Sequence, residues 1–165
     1  MLKRFLSAIL ASVGLVSGTS LSGAQLTIGE ASIAAPDSWR VIKREEERIT
    51  LRSDDDRQQA TISWMQFGVR PSFDDFNRLC TLRLLAEKKD APDVFITPDV
   101  PTPFDNNGRY GLFFGGGDKK SGRLFSGYLS LANKELITIY LEATGVAPEE
   151  HLASFKAFVA SLKRK

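Results

Sequence analysis

Residues 135–143 read as a strand in which Ile137, Ile139 and Leu141 are interleaved with Thr138, Tyr140 and Glu142. A period of two sends successive side chains to opposite sides of a strand, so this segment belongs in a sheet with one face buried. The pattern recurs over residues 48–53, with Ile49 and Leu51 inward and Arg48, Thr50 and Arg52 outward. Residues 39–43 and 60–67 read as further strands. The second carries Ile62 and Trp64 on one side and Met65 and Phe67 on the other, which predicts cover on both faces. Residues 26–33 form a short extended opening that ends at Ala35, Pro36 and Asp37. Tyr110, Leu112 and Phe114 line another strand, which a turn over 118–122 links to a return strand at 124–131, and Asn133 and Lys134 turn the chain again.

Two segments change period. Ser72 can cap a helix and Asp75 stands three residues on, as in a capping box. Phe73, Phe76, Leu79, Cys80 and Leu84 follow helical spacing, and Lys88 and Lys89 fall where the helix dipole favours cations. Pro92, Pro98, Pro101 and Pro103 then impose a loop with at most a short edge strand. A closing helix starts near Pro148, with Leu152, Phe155, Val159 and Leu162 as its buried stripe and Lys163, Arg164 and Lys165 at its end. Hairpin-linked strands with helices placed singly predict an α+β fold, a mostly antiparallel sheet flanked by two amphipathic helices on opposite faces. Residues 25–165 are expected to form a single globular domain.

The chain begins like an exported protein. Lys3 and Arg4 precede an apolar stretch over 5–16, and Ser22, Gly23 and Ala24 supply the small residues a signal peptidase reads. Residues 1–24 are therefore expected to be a signal peptide cleaved after Ala24, with the mature chain in a periplasm or secreted. The apolar run is shorter than the roughly 20 residues of a spanning helix, so no stable membrane anchor is expected after cleavage. The chain has 22 Lys and Arg against 20 Asp and Glu, and losing Lys3 and Arg4 leaves 22 − 2 = 20 against 20. That balance argues against nucleic acid as a partner. The lone Cys80 leaves the fold to hold by packing, without an internal disulfide.

Candidate sites are few. His151 is the only histidine, which excludes a multi-histidine metal site, and it reads as a solvated residue beside Glu149 and Glu150. Cys80 reads as a core residue. Gly115, Gly116, Gly117, Asp118, Lys119, Lys120 and Ser121 partly resemble a phosphate loop, but the glycine before Lys-Ser and the following helix are missing. A flexible hairpin is expected instead. Asp54, Asp55 and Asp56, and the run Asp105, Asn106, Asn107 and Gly108, lack the ligand spacing of a calcium loop and read as turns. Residues 43–48 read as a solvated hairpin, and Trp39 and Trp64 as core. No residue is assigned a catalytic, cofactor-binding or metal role, and no cofactor is expected.

The opening Ile33-Ala34-Ala35-Pro36-Asp37-Ser38-Trp39, the meander over 48–67, the helix over 72–88 and the closing Phe155-Lys156-Ala157-Phe158-Val159-Ala160-Ser161-Leu162 resemble the superfamily shared by PsbP, an extrinsic subunit of photosystem II, and the Mog-type Ran-binding proteins. The resemblance spans nearly the whole mature chain. It implies a PsbP-like fold and a non-enzymatic binding or assembly role in an exported compartment. The expected partner is a protein of the cell envelope, met through loops and one sheet edge. An immunity or inhibitor protein is one version. The alternative is a small periplasmic hydrolase using carboxylates such as Asp99, Asp105 or Asp118.

Overall fold

The computed structural model describes residues 24–90, 92–106 and 108–164. The segment expected to be a signal peptide lies outside them, apart from Ala24. Thirteen elements follow one another: β1 (Gln25–Ile28), β2 (Ala31–Ala34), β3 (Trp39–Arg44), β4 (Arg48–Ser53), β5 (Gln58–Gln66), α1 (Phe73–Asp90), β6 (Phe95–Thr97), β7 (Phe104–Asn106), β8 (Arg109–Asp118), β9 (Arg123–Ala132), β10 (Glu135–Thr144), α2 (Pro148–Ser161) and β11 (Lys163–Arg164). The main sheet has eight strands in the order β3-β4-β5-β10-β9-β8-β6, with β7 also paired to β8, and every pairing is antiparallel. Strand β10 lies near its centre and bonds β5 on one side and β9 on the other.

The alternation read in the sequence sorts the two faces. Ile49, Leu51, Ile62, Ile137, Ile139 and Leu141 lie on one face and are fully buried. Helix α2 covers them with Phe155 and Phe158, together with a small sheet of β1, β2 and β11 that contributes Leu26, Ile28 and Ile33. On the other face Leu112, Phe114, Phe125, Leu129, Leu131 and Leu136 pack against Phe76, Cys80 and Leu84 of α1. The helices do lie on opposite faces, which is the expected α+β arrangement. The Ser72–Asp75 capping box also forms. The Asp75 amide donates to Ser72 Oγ at 3.1 Å, and the Ser72 amide donates to Asp75 Oδ2 at 3.1 Å.

Several expectations are corrected. Residues 26–33 are two strands rather than one, turned at Gly29, whose positive φ of 54° suits glycine. A Cβ at Gly29 would strike the Trp64 indole, so glycine also lets this turn lie flat on the main sheet. Among the described residues β5 itself is covered on one face only, because α1 sits over the β6–β8–β9–β10 half of the sheet and leaves Met65 51% exposed, while Phe67, just past the strand, does pack against the α1 core as the sequence suggested. Gly115, Gly116 and Gly117 are buried strand residues, not part of a flexible hairpin. Gly116 faces the Phe95 carbonyl and the Phe125 ring so closely that a side chain there would part β6 from β8. The buried stripe of α2 runs through His151, Phe155 and Phe158, while Leu152 and Val159 are half-buried at its margins. Phe158 meets Trp39 edge-on, with ring centroids 4.9 Å apart.

The chain's basic end is not a helix terminus. Lys163 and Arg164 pair with β2, and the Arg164 guanidinium is buried 3.7 Å from Glu135. Glu135 Oε1 also accepts from the Trp64 indole at 2.7 Å and from the Glu30 amide at 3.2 Å. Arg164 donates to the Ser130 carbonyl as well. One buried ion pair thus ties the small sheet, the C-terminal end and the main sheet together.

Cys80 is fully buried in the α1 core, and burial pushes its thiol up to about 12. A thiol so hard to ionise reacts slowly. Cys80→Ser is expected to cost about 1–3 kcal/mol by placing an unpaired hydroxyl in an apolar site. Chemical denaturation measures that cost, and native Cys80 should resist a bulky thiol reagent until the protein unfolds.

Candidate functional site

His151 corrects the sequence reading most sharply. It is 4% exposed, in the first turn of α2, and faces into the core rather than water. Its Nε2 lies 3.0 Å from Ser126 Oγ on β9. Burial lowers its pKa to about 4, so the ring is neutral at physiological pH. A histidine beside a serine suggests nucleophilic chemistry, but that chemistry needs a reacting atom to reach the hydroxyl and a third group to orient the ring. Ser126 is buried too, and His151 Nδ1 has no hydrogen-bond partner among the described residues. The pair packs α2 on the sheet.

The carboxylates proposed for hydrolysis are not brought together. Asp105 lies opposite Tyr110 and Asp118 opposite Arg123, at the two ends of β8. Eight residues of strand separate those registers by about 26 Å. Asp118 is occupied by the Lys120 amide at 2.9 Å and Ser121 Oγ at 2.7 Å, bonds that hold its carboxyl below the usual range. Asp105 Oδ1 accepts from the Gly108 amide at 3.1 Å as turn chemistry. Asp99 is exposed in the loop after β6.

A different feature emerges from the register. On the face that carries α1, the helix covers β6, β8, β9 and part of β10. Neither core cluster extends over the same face of β3, β4 and β5. The pairings arrange this uncovered half in rows. Arg40, Arg52, Gln59 and Glu142 form one row, Lys43, Thr50, Thr61 and Tyr140 the next, and Arg48, Ser63 and Thr138 the third. Met65 and Leu136 close the far end. Four strands at about 4.8 Å give a width of about 14 Å, and six residues of β5 give a length of about 20 Å. Shallow grooves of about 470 and 520 Å³ lie at its two ends, the first between Met65, Leu136 and the turn Glu45, Glu46 and Glu47, the second between Arg52, Gln59, Arg123 and Glu142.

The rim beside α1 is an ordered polar network. Arg83 Nη2 donates to Glu87 Oε1 at 2.6 Å. The Tyr140 hydroxyl donates to Glu87 Oε2 at 3.2 Å and accepts from Arg123 Nη2 at 2.7 Å. Arg123 Nη2 also lies 3.1 Å from Glu142 Oε2. Burial, reinforced by the Glu87 charge, raises the Tyr140 pKa above its ordinary value, so the phenol stays protonated. The network holds a firm edge where the covered half of the face meets the open half.

The sequence marked Arg48, Thr50 and Arg52 as outward, and that orientation holds. It could not show that Ser63 and Thr138 share their surface, because those contacts depend on strand order.

No protein-family model and no curated protein sequence matches the chain. Among solved structures it is similar to cyanobacterial PsbP (CyanoP) from Synechocystis sp. PCC 6803, with a TM-score of 0.64 over 93% of this chain and 99% of that one at 14% identity. A structure from Bacteroides thetaiotaomicron VPI-5482 overlaps at a TM-score of 0.49 and 10% identity, over 87% of this chain and 48% of that one. LpqN, involved in cell envelope biogenesis of Mycobacterium tuberculosis, overlaps at 0.48 and 14% identity, over 86% of this chain and 84% of that one. The likeness to cyanobacterial PsbP is one of fold, and the chain has a PsbP-like α+β architecture.

Proposed function

We propose that the protein is an exported, non-enzymatic binding module of the bacterial periplasm that holds a protein partner against the uncovered half of its main sheet. The observation that carries this reading is the asymmetry of cover. One face of the sheet lies beneath α2 and the small sheet, while half of the other presents Thr50, Thr61, Ser63 and Thr138 in register, half-buried and outside both core clusters of the described residues. The PsbP-like fold fits the binding or assembly role that the sequence resemblance implies, and residues 1–24 supply the export reading. An immunity or inhibitor protein is one form such a module takes. The edge of β3 is a poorer contact than the face, because a bulge between Val41 and Lys43 breaks the ladder a docking strand would continue.

Site-specific photo-cross-linking tests this reading. The full chain is expressed with a photoreactive residue in place of Thr61, and separately in place of Ala153 on the exposed side of α2. Position 61 is expected to give a discrete adduct with one envelope protein and position 153 none, in a chain recovered from the periplasm beginning at Gln25. Equal adducts from both positions, or none from position 61, would refute the assignment of the face.

A further inference from the structure

We infer that Met65 is an oxidation site, and that its conversion to the sulfoxide releases the partner from the uncovered face. The second half of this inference rests on the reading of that face as the contact surface. The chain has two methionines, Met1 and Met65, and one cysteine, Cys80. Met1 falls in the segment expected to leave with the signal peptide. Cys80 is fully buried, so oxidants do not reach its sulfur in the folded protein. Met65 is 51% exposed near the end of β5. It is therefore the accessible sulfur of the expected mature chain.

Its position matters as much as its exposure. On this face β5 presents Gln59, Thr61, Ser63 and then Met65, so a polar series ends in a thioether. Met65 stands opposite Leu136, a residue of the α1 core, and both line the groove of about 470 Å³ together with Ser63 and Thr138. A partner that covers Met65 removes apolar surface from water, and the unbranched thioether adapts to an irregular contact. Met65 is thus the apolar anchor at one end of a polar face.

The oxidant is hydrogen peroxide, which is small enough to reach any exposed thioether. A sulfur lone pair attacks one peroxide oxygen, and the S–O bond forms as the O–O bond breaks. The departing hydroxide takes up the remaining proton and leaves as water. Sulfur is oxidised by two electrons and peroxide is reduced by two. The product places a strong hydrogen-bond acceptor where the contact needs an apolar group, and burying that oxygen without a donor opposes binding. In the free protein the same oxygen meets water, so the fold is left intact. A methionine sulfoxide reductase with a dithiol reverses the change. The sulfoxide oxygen leaves as water and the dithiol becomes a disulfide.

The test uses the protein purified after expression of the full chain with the photoreactive residue at position 61. It is treated with hydrogen peroxide, freed of it, and photolysed with untreated envelope extract. Peptide mapping should find one added oxygen on Met65 and none on Cys80, Trp39 or Trp64, with the urea midpoint unchanged. The adduct should fall by about threefold or more, as expected for a polar group placed in a methionine contact, and reductase treatment should restore it. In Met65→Leu the treated and untreated samples should give the same adduct, since leucine has no sulfur to oxidise. Oxygen appearing first on another residue would overturn the site. A lowered urea midpoint, or a peroxide effect that persists in Met65→Leu, would reduce the loss of adduct to general damage and overturn the switch. Complete sulfoxide at Met65 with an unchanged adduct would overturn the switch and leave the contact face standing. No adduct from the untreated protein would overturn the contact face and the switch together.

Discussion

Phe155→Ala, made in the full chain, is expected to lower the unfolding free energy by about 3–5 kcal/mol, read from urea denaturation. The Phe155 ring is fully buried where α2 meets the main sheet, and it approaches Phe113 edge-on with centroids 6.4 Å apart. Truncation to alanine removes the ring and leaves a cavity between a helix and a sheet that cannot collapse together. A typical domain is stable by about 5–15 kcal/mol, so this one change uses a large part of the margin. Removing the chain from Ala147 onward should do more. It strips cover from Ile137, Ile139 and Leu141 and also deletes Arg164, the partner of buried Glu135. That truncated protein should be insoluble or unfolded. A cooperative transition at the unaltered urea midpoint would show α2 to be an appendage and would remove the main support for this account of the core.

The second expectation concerns acid. His151 has a pKa of about 4 in the folded protein against 6.5 for an exposed imidazole. Between those values the unfolded chain binds a proton that the folded chain refuses, so stability falls as pH drops from about 6.5 towards 4. The difference corresponds to about 3 kcal/mol. Below that window a different group takes over. Asp55 is held near 2 by its bonds to Ser53 and Arg57, and its contribution is lost only as pH falls below the ordinary carboxylate range. His151→Gln should therefore flatten the stability profile between pH 6.5 and 4 and leave the loss at lower pH in place. Denaturation midpoints across that range measure this, and a wild-type profile that stays level from pH 6.5 to 4 would contradict the burial of the imidazole.

The partition between what was legible in the sequence and what was not follows distance along the chain. Strand alternation in residues 48–53 and 135–143, the Ser72–Asp75 cap, the Asp118 turn and the helical spacing around Cys80 are local patterns. Each depends on side chains a few residues apart, and each stands in the structure. The α+β class and the PsbP-like order of elements came from the same local signals. The misreadings share a different cause. The rotation of α2 that buries His151 and Phe158 is set by partners far along the chain: Ser126 lies 25 residues before His151, and Trp39 more than a hundred residues before Phe158.

The candidate site lies wholly on the long-range side of that line. The sequence alone determined that Arg48, Thr50 and Arg52 face away from the core, because a strand of period two with Ile49 and Leu51 buried allows nothing else. Only the tertiary structure decided that this outward side is an open surface. The order β3-β4-β5-β10 sets Ser63 and Thr138 beside Arg48, and α1 packs over β8 and β9 instead of over β4 and β5. Which strands become neighbours, and which half of a sheet a helix covers, depends on contacts between residues far apart in the chain, and periodicity within one segment carries no record of them.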